Sequence, residues 1–257
     1  MLPESKPSPD AALADRHDNE IEHGRYLAEA GAEDVWGWGS PAGRLRAIRR
    51  GKKIREGAVL TPESKVLEVG CGTGIFTEMV AESGAHILAV DISPELLDVA
   101  RARGVNPEQV EFVCKGFEDA VVDGPFDAVV GSSVLHHLDV EASMRKIHEL
   151  LKPGGWMSFC EPNMMNPHIA MIKNIKWIGR RLGESPDETA FIRWKLAGLL
   201  ESIGFTEVCI TPFDFLPPIT PTPLIPLVKA VGTCVEALPG LREISGSLHI
   251  VARKPLG

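Results

Sequence analysis

Two groups of residues in this 257-residue sequence have the types and the spacing to do chemistry. In the first group, the glycines Gly70, Gly72 and Gly74 alternate directly after an apolar run, and Asp91 ends the next apolar run. A glycine turn between a strand and a helix presents backbone N–H groups and the positive end of a helix dipole to a ligand. A carboxylate placed like that of Asp91 can accept hydrogen bonds from both hydroxyls of a ribose. The first group therefore predicts a nucleoside-binding site.

The spacing of the glycines narrows the choice of nucleoside. A dinucleotide fingerprint reads G-x-G-x-x-G and holds a pyrophosphate at the helix N-terminus, whereas the run here is one residue shorter. Glu68, just before the first glycine, would repel a pyrophosphate but suits a ligand that carries an ammonium or sulfonium charge. The pattern favours a nucleoside with a cationic tail that lacks phosphate. An NAD-dependent oxidoreductase is the alternative.

The second group could move a proton. His136 and His137 follow the predicted strand that ends near Ser132, and Glu161 follows the next predicted strand. Histidine, with an unperturbed pKa of about 6.5, is suited to take a proton from a hydroxyl group. Glu161 is a second candidate base, and capping of the following turn is an equal alternative for it.

Both groups depend on an alternation of strands and helices. Apolar runs predict strands at 66–69, 86–90, 110–114, 126–131, 156–160, 205–210 and 247–253, with helices between most of them. In an open parallel sheet, ligands lie outside the carboxyl ends of the strands, at the point where the strand order reverses. Because the fourth strand should lie beside the first, Ser132 is expected near the nucleoside. The two histidines are then expected near the second reactant.

With these residues the sequence resembles the class I S-adenosylmethionine-dependent methyltransferases, of the small-molecule type similar to the quinone and natural-product O-methyltransferases. The segment from Glu68 to Gly74, together with Asp91, matches the first two motifs of that family, and the turn Lys152-Pro153-Gly154-Gly155 recurs in it. The resemblance implies a three-layer, Rossmann-like α/β fold whose seven-stranded sheet is parallel except for an antiparallel last strand. It also implies S-adenosylmethionine as cofactor and a small-molecule or lipid-like methyl acceptor. A hydroxyl oxygen is the preferred acceptor atom, and carbon or nitrogen is the alternative.

The resemblance also assigns roles to individual residues. His137 becomes the first choice of base because the segment Leu135-His136-His137-Leu138 matches the corresponding segment of small-molecule methyltransferases. Glu118 takes the place of an aspartate that often holds the adenine amino group in the family, and Asp119 is the alternative. The full cofactor-binding set is Glu68, Gly70, Gly72, Gly74, Asp91, Ile92, Phe117, Glu118 and Ser132.

The chain divides into a short N-terminal part and one large domain. We expect residues 1–60 to form a disordered tail, up to about residue 16, and a helical lid whose first helix begins at Asp18. Residues 61–257 are expected to form a methyltransferase domain with cover insertions at about 162–187 and 211–245. Helices are predicted over Asn166–Leu182 and from Ser185 to Ile203. Trp36 and Trp38 lie in a glycine-rich turn and could close over the site, with Arg44 or Arg46 meeting a carboxylate; simple packing against the sheet is the alternative. Both insertions could contact a membrane or a second copy of the chain, and the apolar, proline-rich second one could instead roof an acceptor pocket.

Composition excludes several classes of protein. A net charge of −8 argues against a nucleic-acid substrate. Five dispersed cysteines without a CxxC pair favour reduced thiols over disulfides or a metal site. No apolar run approaches the ~20 residues that span a bilayer, and the polar N-terminus predicts no signal peptide. We therefore expect a cytoplasmic enzyme without a metal, and a non-catalytic module that binds the cofactor is the further alternative.

Overall fold

The architecture is a single twisted sheet with helices on both faces. The computed structural model describes residues 9–175 and 190–257, with side chains from Arg16 onward. Its seven strands are ordered β3-β2-β1-β4-β5-β7-β6. The strands are β1 Lys65–Val69, β2 His86–Asp91, β3 Val110–Cys114, β4 Phe126–Ser132, β5 Leu151–Pro162, β6 Thr206–Phe213 and β7 Ser247–Arg253.

The pairing of the strands confirms the predicted fold class. Strand β1 lies between β2 and β4 and is parallel to both, and β5 continues the parallel arrangement beyond β4. Strand β7 runs antiparallel between β5 and β6. The strand order reverses between β1 and β4, so the carboxyl ends of these two strands form the edge where a ligand is expected.

Helices cover both faces of the sheet. The helices are α1 Pro9–Ala30, α2 Ala32–Val35, α3 Pro41–Gly57, α4 Ile75–Ala81, α5 Pro94–Arg101, α6 Val140–Leu150, α7 Pro167–Asn174, α8 Arg193–Ile203 and α9 Ile225–Glu236. On one face, Phe159 and Leu200 belong to a buried apolar cluster beneath α6 and α8. On the other, Ile54 and Val80 belong to a second cluster beneath α3 and α4. Apolar side chains thus project from both faces of the sheet and pack against helices, as a three-layer fold requires.

Local capping explains where several helices begin. Ser40 and Ser93 each precede a proline at the first helical position, and each hydroxyl accepts a backbone N–H from the first turn, at 2.9 Å from Gly43 and 3.2 Å from Leu96. Asp139 caps α6 in the same way. These caps stabilise α3, α5 and α6 next to the carboxyl edge of the sheet.

Two predicted helix starts require correction, and one predicted helix is described only in part. Helix α1 begins at Pro9, whereas the sequence predicted a disordered tail up to about residue 16 and a helix only from Asp18. The predicted helix from Asn166 to Leu182 is helical over α7, and its remainder lies in residues 176–189, outside the described part of the chain. The helix predicted from Ser185 through Ile203 is wrong in its first part, because α8 begins only at Arg193 and Phe191 forms a β-bridge with Asn163. Within the described residues, no helix is long and apolar enough to cross a membrane.

Candidate functional site

A cavity of about 580 Å³ lies at the carboxyl ends of β1, β2 and β4. Side chains of α1 line one side of it, and side chains of α7 line another. The cavity lies at the expected reversal of strand order, and its volume is in the range that binds small molecules and cofactors.

The glycine loop forms part of the cavity wall. Gly70 and Gly72 have φ angles of +63° and +52°, which side-chain-bearing residues rarely adopt. A Cβ at Gly70 would collide with the side chain of Val134, and one at Gly72 would lie 3.3 Å from the ring of Trp36. Gly74 does not line the cavity; it precedes α4 and lies against Ala100. The loop therefore brings main chain, rather than side chains, to the cavity surface.

Asp91 joins the glycine loop to the end of β2. Its Oδ2 accepts the backbone N–H of Gly72 at 2.7 Å, and its Oδ1 accepts that of Ser93 at 2.9 Å. Burial raises the pKa of this carboxyl group, and the two N–H donors oppose that rise. Each oxygen keeps a lone pair for a further donor, so the carboxylate can still accept hydroxyl groups from a ligand in the cavity.

The sequence predicted that Glu68 would face a cationic ligand, but the structure buries it away from the cavity surface. Its side chain is 1% exposed, and it is not among the cavity-lining residues. Burial raises its pKa to about 7, and the negative charge of Asp91 adds to the rise. Among the described residues, its Oε2 has no hydrogen-bond partner. Glu68 therefore lies beneath the glycine loop as a carboxyl group that is partly protonated at neutral pH.

Arg50 is a site residue that the sequence reasoning missed. It projects from α3 into the cavity wall and is only 3% exposed. Its guanidinium donates to the hydroxyls of Ser132 at 3.1 Å, Ser133 at 3.0 Å and Ser247, and to the carbonyl of Cys160.

Among the described residues, the guanidinium of Arg50 makes no direct ion pair with a carboxylate. Within the described chain its hydrogen-bond acceptors are hydroxyls and a carbonyl, and Nε has no acceptor. Burial accordingly lowers its pKa. A buried cation without an anionic partner is costly, so its position on the cavity wall suits an anionic group of a ligand. The basic stretch of α3 was visible in the sequence, but the helix face that turns inward was not.

One part of the cavity lining consists of apolar side chains and one acidic side chain. Ile92, Phe117 and Leu138 line the cavity there, and Phe117 is 4% exposed. Glu118 also lines it and accepts Arg16 at 2.7 Å and the backbone N–H of Asp139 at 2.8 Å through the same oxygen. The apolar side chains in this part of the cavity suit packing against a nucleobase.

The alternative acid, Asp119, does not line the cavity. Its side chain is 63% exposed, in contrast to 8% for Glu118. Of the two acids that the sequence offered for an adenine amino group, Glu118 is therefore the one within reach.

The two histidines stand side by side in the turn after β4. Their rings are 4.2 Å apart, and both line the cavity. His136 Nδ1 lies 2.7 Å from Glu161 Oε2, and His137 Nδ1 lies 3.1 Å from Glu20 Oε2. Each imidazole thus has a carboxylate at the same ring nitrogen.

Glu161 is not positioned to reach a reactant. Its side chain is 0% exposed and does not line the cavity. Its Oε1 accepts the backbone N–H groups of Val134 and Leu135, both at 2.9 Å, and Oε2 contacts His136. Sequence reasoning offered Glu161 as a second base, whereas its contacts are those of a residue that holds the histidine turn in place.

The two tryptophans of the N-terminal segment differ. Trp38 is buried, meets Phe76 edge-on at 5.6 Å and lies beneath Arg46 and Arg50, so packing accounts for it. Trp36 and Trp38 both line the cavity, and Trp36 lies beside Gly72. Arg46 meets a carboxylate of the protein itself, Asp214 Oδ2 at 2.7 Å.

The part of the cavity lined by α7 combines apolar and polar side chains. It is lined by Ile169 and Ile172 with His168 and Lys173, all from α7, and by Pro218. An apolar wall with a few polar groups is typical of sites for small organic molecules.

Comparisons with known proteins agree with this geometry. Residues 67–159 match the family model described as a methyltransferase domain. The chain is 34% identical over 182 residues to a ubiquinone biosynthesis O-methyltransferase of Xanthomonas campestris, an alignment that covers 68% of this chain and 74% of that protein. It is 35% identical over 127 residues to the protein of the same name from Xylella fastidiosa, covering 46% of this chain but only 52%, about half, of that relative.

Solved structures show the same fold. The N-methyltransferase NodS from Bradyrhizobium japonicum, in complex with S-adenosyl-L-homocysteine, superposes with a TM-score of 0.61 at 18% identity, covering 92% of this chain and 98% of that one. The 1,6-didemethyltoxoflavin-N1-methyltransferase of Burkholderia thailandensis gives 0.59 at 18% identity, covering 99% and 93%. At these identities the likeness concerns the fold.

Proposed function

Because the chain belongs to the class I S-adenosylmethionine-dependent methyltransferases, we propose that it transfers a methyl group from S-adenosylmethionine to a hydroxyl oxygen of a small-molecule or lipid-like acceptor. The observation that carries the proposal is the composition of one cavity. Asp91, the glycine loop, the buried cation Arg50 and His137 all line this cavity, together with the apolar side chains of α7. These groups suit a nucleoside that carries an amino-acid tail and an acceptor whose hydroxyl group loses its proton.

The residues present fit the cofactor. In our proposal Asp91 accepts the ribose hydroxyls, and the main chain at Gly70 and Gly72 is approached by the methionine part. The guanidinium of Arg50 then meets the methionine carboxylate, which gives this buried cation an anionic partner. When bound, the cofactor supplies a methyl group on a sulfonium sulfur.

The remaining proposed contacts concern the base and the support of the loop. Ile92 and Phe117 would pack on the adenine, and Glu118 would accept its amino group. Ser132 would contribute to the cofactor site by accepting a hydrogen bond from Arg50, which holds that guanidinium in place. Gly74 and Glu68 would contribute from beneath the loop, since neither lines the cavity.

His137 is the proposed general base. A hydroxyl group must lose its proton as its oxygen attacks a methyl carbon, and a histidine near neutral pH can accept that proton. Glu161 would serve this step indirectly, because it holds the turn that presents both histidines. The names of the Xanthomonas and Xylella relatives support an oxygen acceptor over carbon or nitrogen.

The proposed acceptor carries an apolar part. Ile169, Ile172 and Pro218 line the end of the cavity that the cofactor would leave open. A phenol or other hydroxylated ring with an aliphatic substituent would suit such a wall, because burial of its apolar surface favours binding.

The test is transfer of a labelled methyl group. The protein is incubated with methyl-labelled S-adenosylmethionine and a panel of phenols, catechols, amines and cell-extract fractions, and products are identified by mass spectrometry. We expect label on an ether oxygen. Label on nitrogen or carbon would replace the acceptor assignment, and cofactor binding without turnover on any pool would favour a non-catalytic module. Binding of NAD in place of S-adenosylmethionine would favour the oxidoreductase.

We further propose that the second insertion meets a lipid surface from which the acceptor is drawn. Leu227, Val231 and Leu238 on and after α9 are at least half exposed, and Lys229 lies on the same exposed helix. The neighbouring acid Glu236 pairs with an arginine, Arg49 Nη2, at 2.5 Å. An apolar helix with an exposed cation and a paired acid suits anionic headgroups.

Vesicle flotation tests this surface contact. We expect binding to phosphatidylglycerol vesicles, and loss of that binding in Leu227→Asp with Val231→Asp. A concentration-dependent dimer in sedimentation, without vesicle binding, would assign the surface to a second copy instead. A cytoplasmic location is part of the proposal and is supported by the five cysteines, all free in the described chain.

A further inference from the structure

Glu20 and His137 come from distant parts of the chain and meet at the cavity. Glu20 lies in α1, and His137 follows β4. Glu20 Oε2 is 3.1 Å from His137 Nδ1, with the two side chains 16% and 20% exposed, and both residues line the cavity. The contact is therefore largely shielded from water, and it lies beside the place where the reactants would meet.

A carboxylate at Nδ1 determines how the imidazole works. The His137 Nδ1–Glu20 Oε2 contact is an ion-pair distance without hydrogen-bond geometry. The negative charge 3.1 Å away favours the proton on Nδ1 electrostatically, so Nε2 is the nitrogen that accepts a proton. It also stabilises the imidazolium that forms afterwards, because an opposite charge within ~4 Å favours the charged form. His137 is thereby oriented as a base rather than only placed at the cavity.

Other charged groups face the same ring and must be counted with Glu20. His136 stacks beside it at 4.2 Å and is paired with Glu161 behind the turn. Asp91 lies across the cavity and interacts electrostatically with His137. The remaining titratable or charged groups that line the cavity, from α1, α3, the loop after β3 and α7, are Arg16, His17, His23, Arg46, Arg50, Lys115, Glu118, His168 and Lys173.

Helix α1 reaches this position through its own contacts with the cofactor side of the cavity. Arg16 Nη2 lies 2.7 Å from Glu118 Oε1, and Arg25 Nε lies 3.1 Å from Glu95 Oε1. Between them, Gly24 packs so closely on Ser93 that a Cβ would lie 2.5 Å from its hydroxyl. These contacts with the loop after β3 and the start of α5 hold α1 in the position in which Glu20 meets His137.

We propose that Glu20 is a positioning residue that makes His137 an effective base, and that the seating of α1 assembles this pair. The inference rests on the proposed function, in which His137 accepts the acceptor's proton. In that step the acceptor O–H bond breaks and its proton goes to Nε2. The O–C bond to the methyl group forms, and the S–C bond breaks with its electron pair remaining on sulfur. The imidazolium is then paired with the Glu20 carboxylate, and covering of the cofactor and assembly of the base occur together.

The experiment compares Glu20→Gln with Glu22→Gln, a change of the same type at an exposed position of α1. We expect kcat of Glu20→Gln at neutral pH to fall about 10-fold to 100-fold, a part of the total contribution of general-base catalysis. Because loss of the carboxylate lowers the pKa of the imidazole, the acidic limb of the kcat profile should move to lower pH. Glu22→Gln should match the unmodified protein in both respects.

Three further measurements separate the possible outcomes. Nitrogen NMR of His137 should show a lower pKa and less protonation at Nδ1 in Glu20→Gln, without reference to activity. Calorimetry should show S-adenosylmethionine affinity within about 3-fold of the unmodified protein, which excludes general collapse of the site. Glu20→Gln combined with His137→Ala should be no slower than His137→Ala alone, because the two residues act as one unit.

The inference and the proposed function can fail separately. Full activity of His137→Ala would remove His137 as base and the proposed mechanism with it. A slow His137→Ala together with an unmoved acidic limb and unchanged ring titration in Glu20→Gln would overturn the role of Glu20 and leave the methyltransferase proposal standing.

Discussion

The Asp91 carboxylate accepts the backbone N–H of Gly72 at 2.7 Å, so the acid that ends β2 also holds the glycine loop after β1. One side chain thereby couples two walls of the cavity. This relationship means that changes at Asp91 should affect both the loop and any nucleoside that the loop faces.

Replacement of Asp91 by alanine should weaken S-adenosylmethionine binding by roughly 1.5–3 kcal/mol, the scale of hydrogen bonds to a charged group. Asp98→Ala on the following helix α5 is the control, because Asp98 is 79% exposed and pairs at the surface with Arg101. Calorimetry measures both variants. Unchanged affinity in Asp91→Ala would exclude its role in binding the ribose.

Arg50→Met should selectively remove recognition of the methionine carboxylate. The unmodified protein should bind S-adenosylmethionine more tightly than 5′-methylthioadenosine, which lacks that carboxylate, and Arg50→Met should reduce the difference at least 10-fold. The control is Arg49→Met, whose side chain is 43% exposed and pairs with Glu236. Equal weakening of both ligands in Arg50→Met would mean that Arg50 only maintains the fold.

His137→Ala should lower turnover by ~10²–10⁴, the usual contribution of general acid–base catalysis, with cofactor affinity preserved. His86→Ala, at an exposed position at the start of β2, is the matched control. Single-turnover rates with labelled cofactor separate chemistry from binding. An unaltered rate in His137→Ala would require another proton acceptor.

Gly72→Ala should lower cofactor affinity in addition to the stability that backbone strain alone would remove. Gly72 and Gly104 both have positive φ angles, +52° and +72°, so alanine at either should cost about 1–2 kcal/mol of stability. A Cβ at Gly72 would lie 3.3 Å from Trp36 at the cavity wall, whereas none at Gly104 would have a neighbour within 4 Å. Cofactor affinity should therefore fall in Gly72→Ala and not in Gly104→Ala, and an equal effect would contradict close approach of the ligand to the loop.

Glu68 should make stability depend on pH. Its pKa of about 7 in the folded chain exceeds the ordinary value of 4.5, so the folded state binds the extra proton between these values. Stability is then highest below about pH 4.5 for this group and is lost as the pH rises through about 7, by about 3 kcal/mol in all. Urea unfolding at pH 5 and pH 8 should show this loss for the unmodified protein and a smaller one for Glu68→Gln. Parallel losses in the two proteins would place the effect elsewhere.

The parts of the site that are contiguous in sequence could be predicted. Gly70, Gly72 and Asp91 are tied to the ends of two adjacent strands, so their meeting follows from the order of β1 and β2 in a parallel sheet. Ser132 was expected at that edge because it follows a strand, and Phe117 and Glu118 were assigned to the site by the family resemblance; all three line the cavity.

The residues that depend on helix docking could not be predicted. Which arginines of α3 reach the site, here Arg46 and Arg50, depends on the rotation of that helix on the sheet, which local sequence does not encode. Glu20 required the long-range placement of α1, whose first turn lies in a polar segment without apolar periodicity. Glu161 was offered as a base because it follows a strand, but its alternation along β5 buries it behind His136.

The most direct measurement of the central claim is a crystal structure of the protein with S-adenosylhomocysteine. The account predicts the ribose hydroxyls on the carboxylate of Asp91, the main chain of the glycine loop along the amino-acid part, and the ligand carboxylate at the guanidinium of Arg50. A cavity that stays empty at saturating ligand, or that takes up a dinucleotide with its diphosphate at the loop, would contradict it.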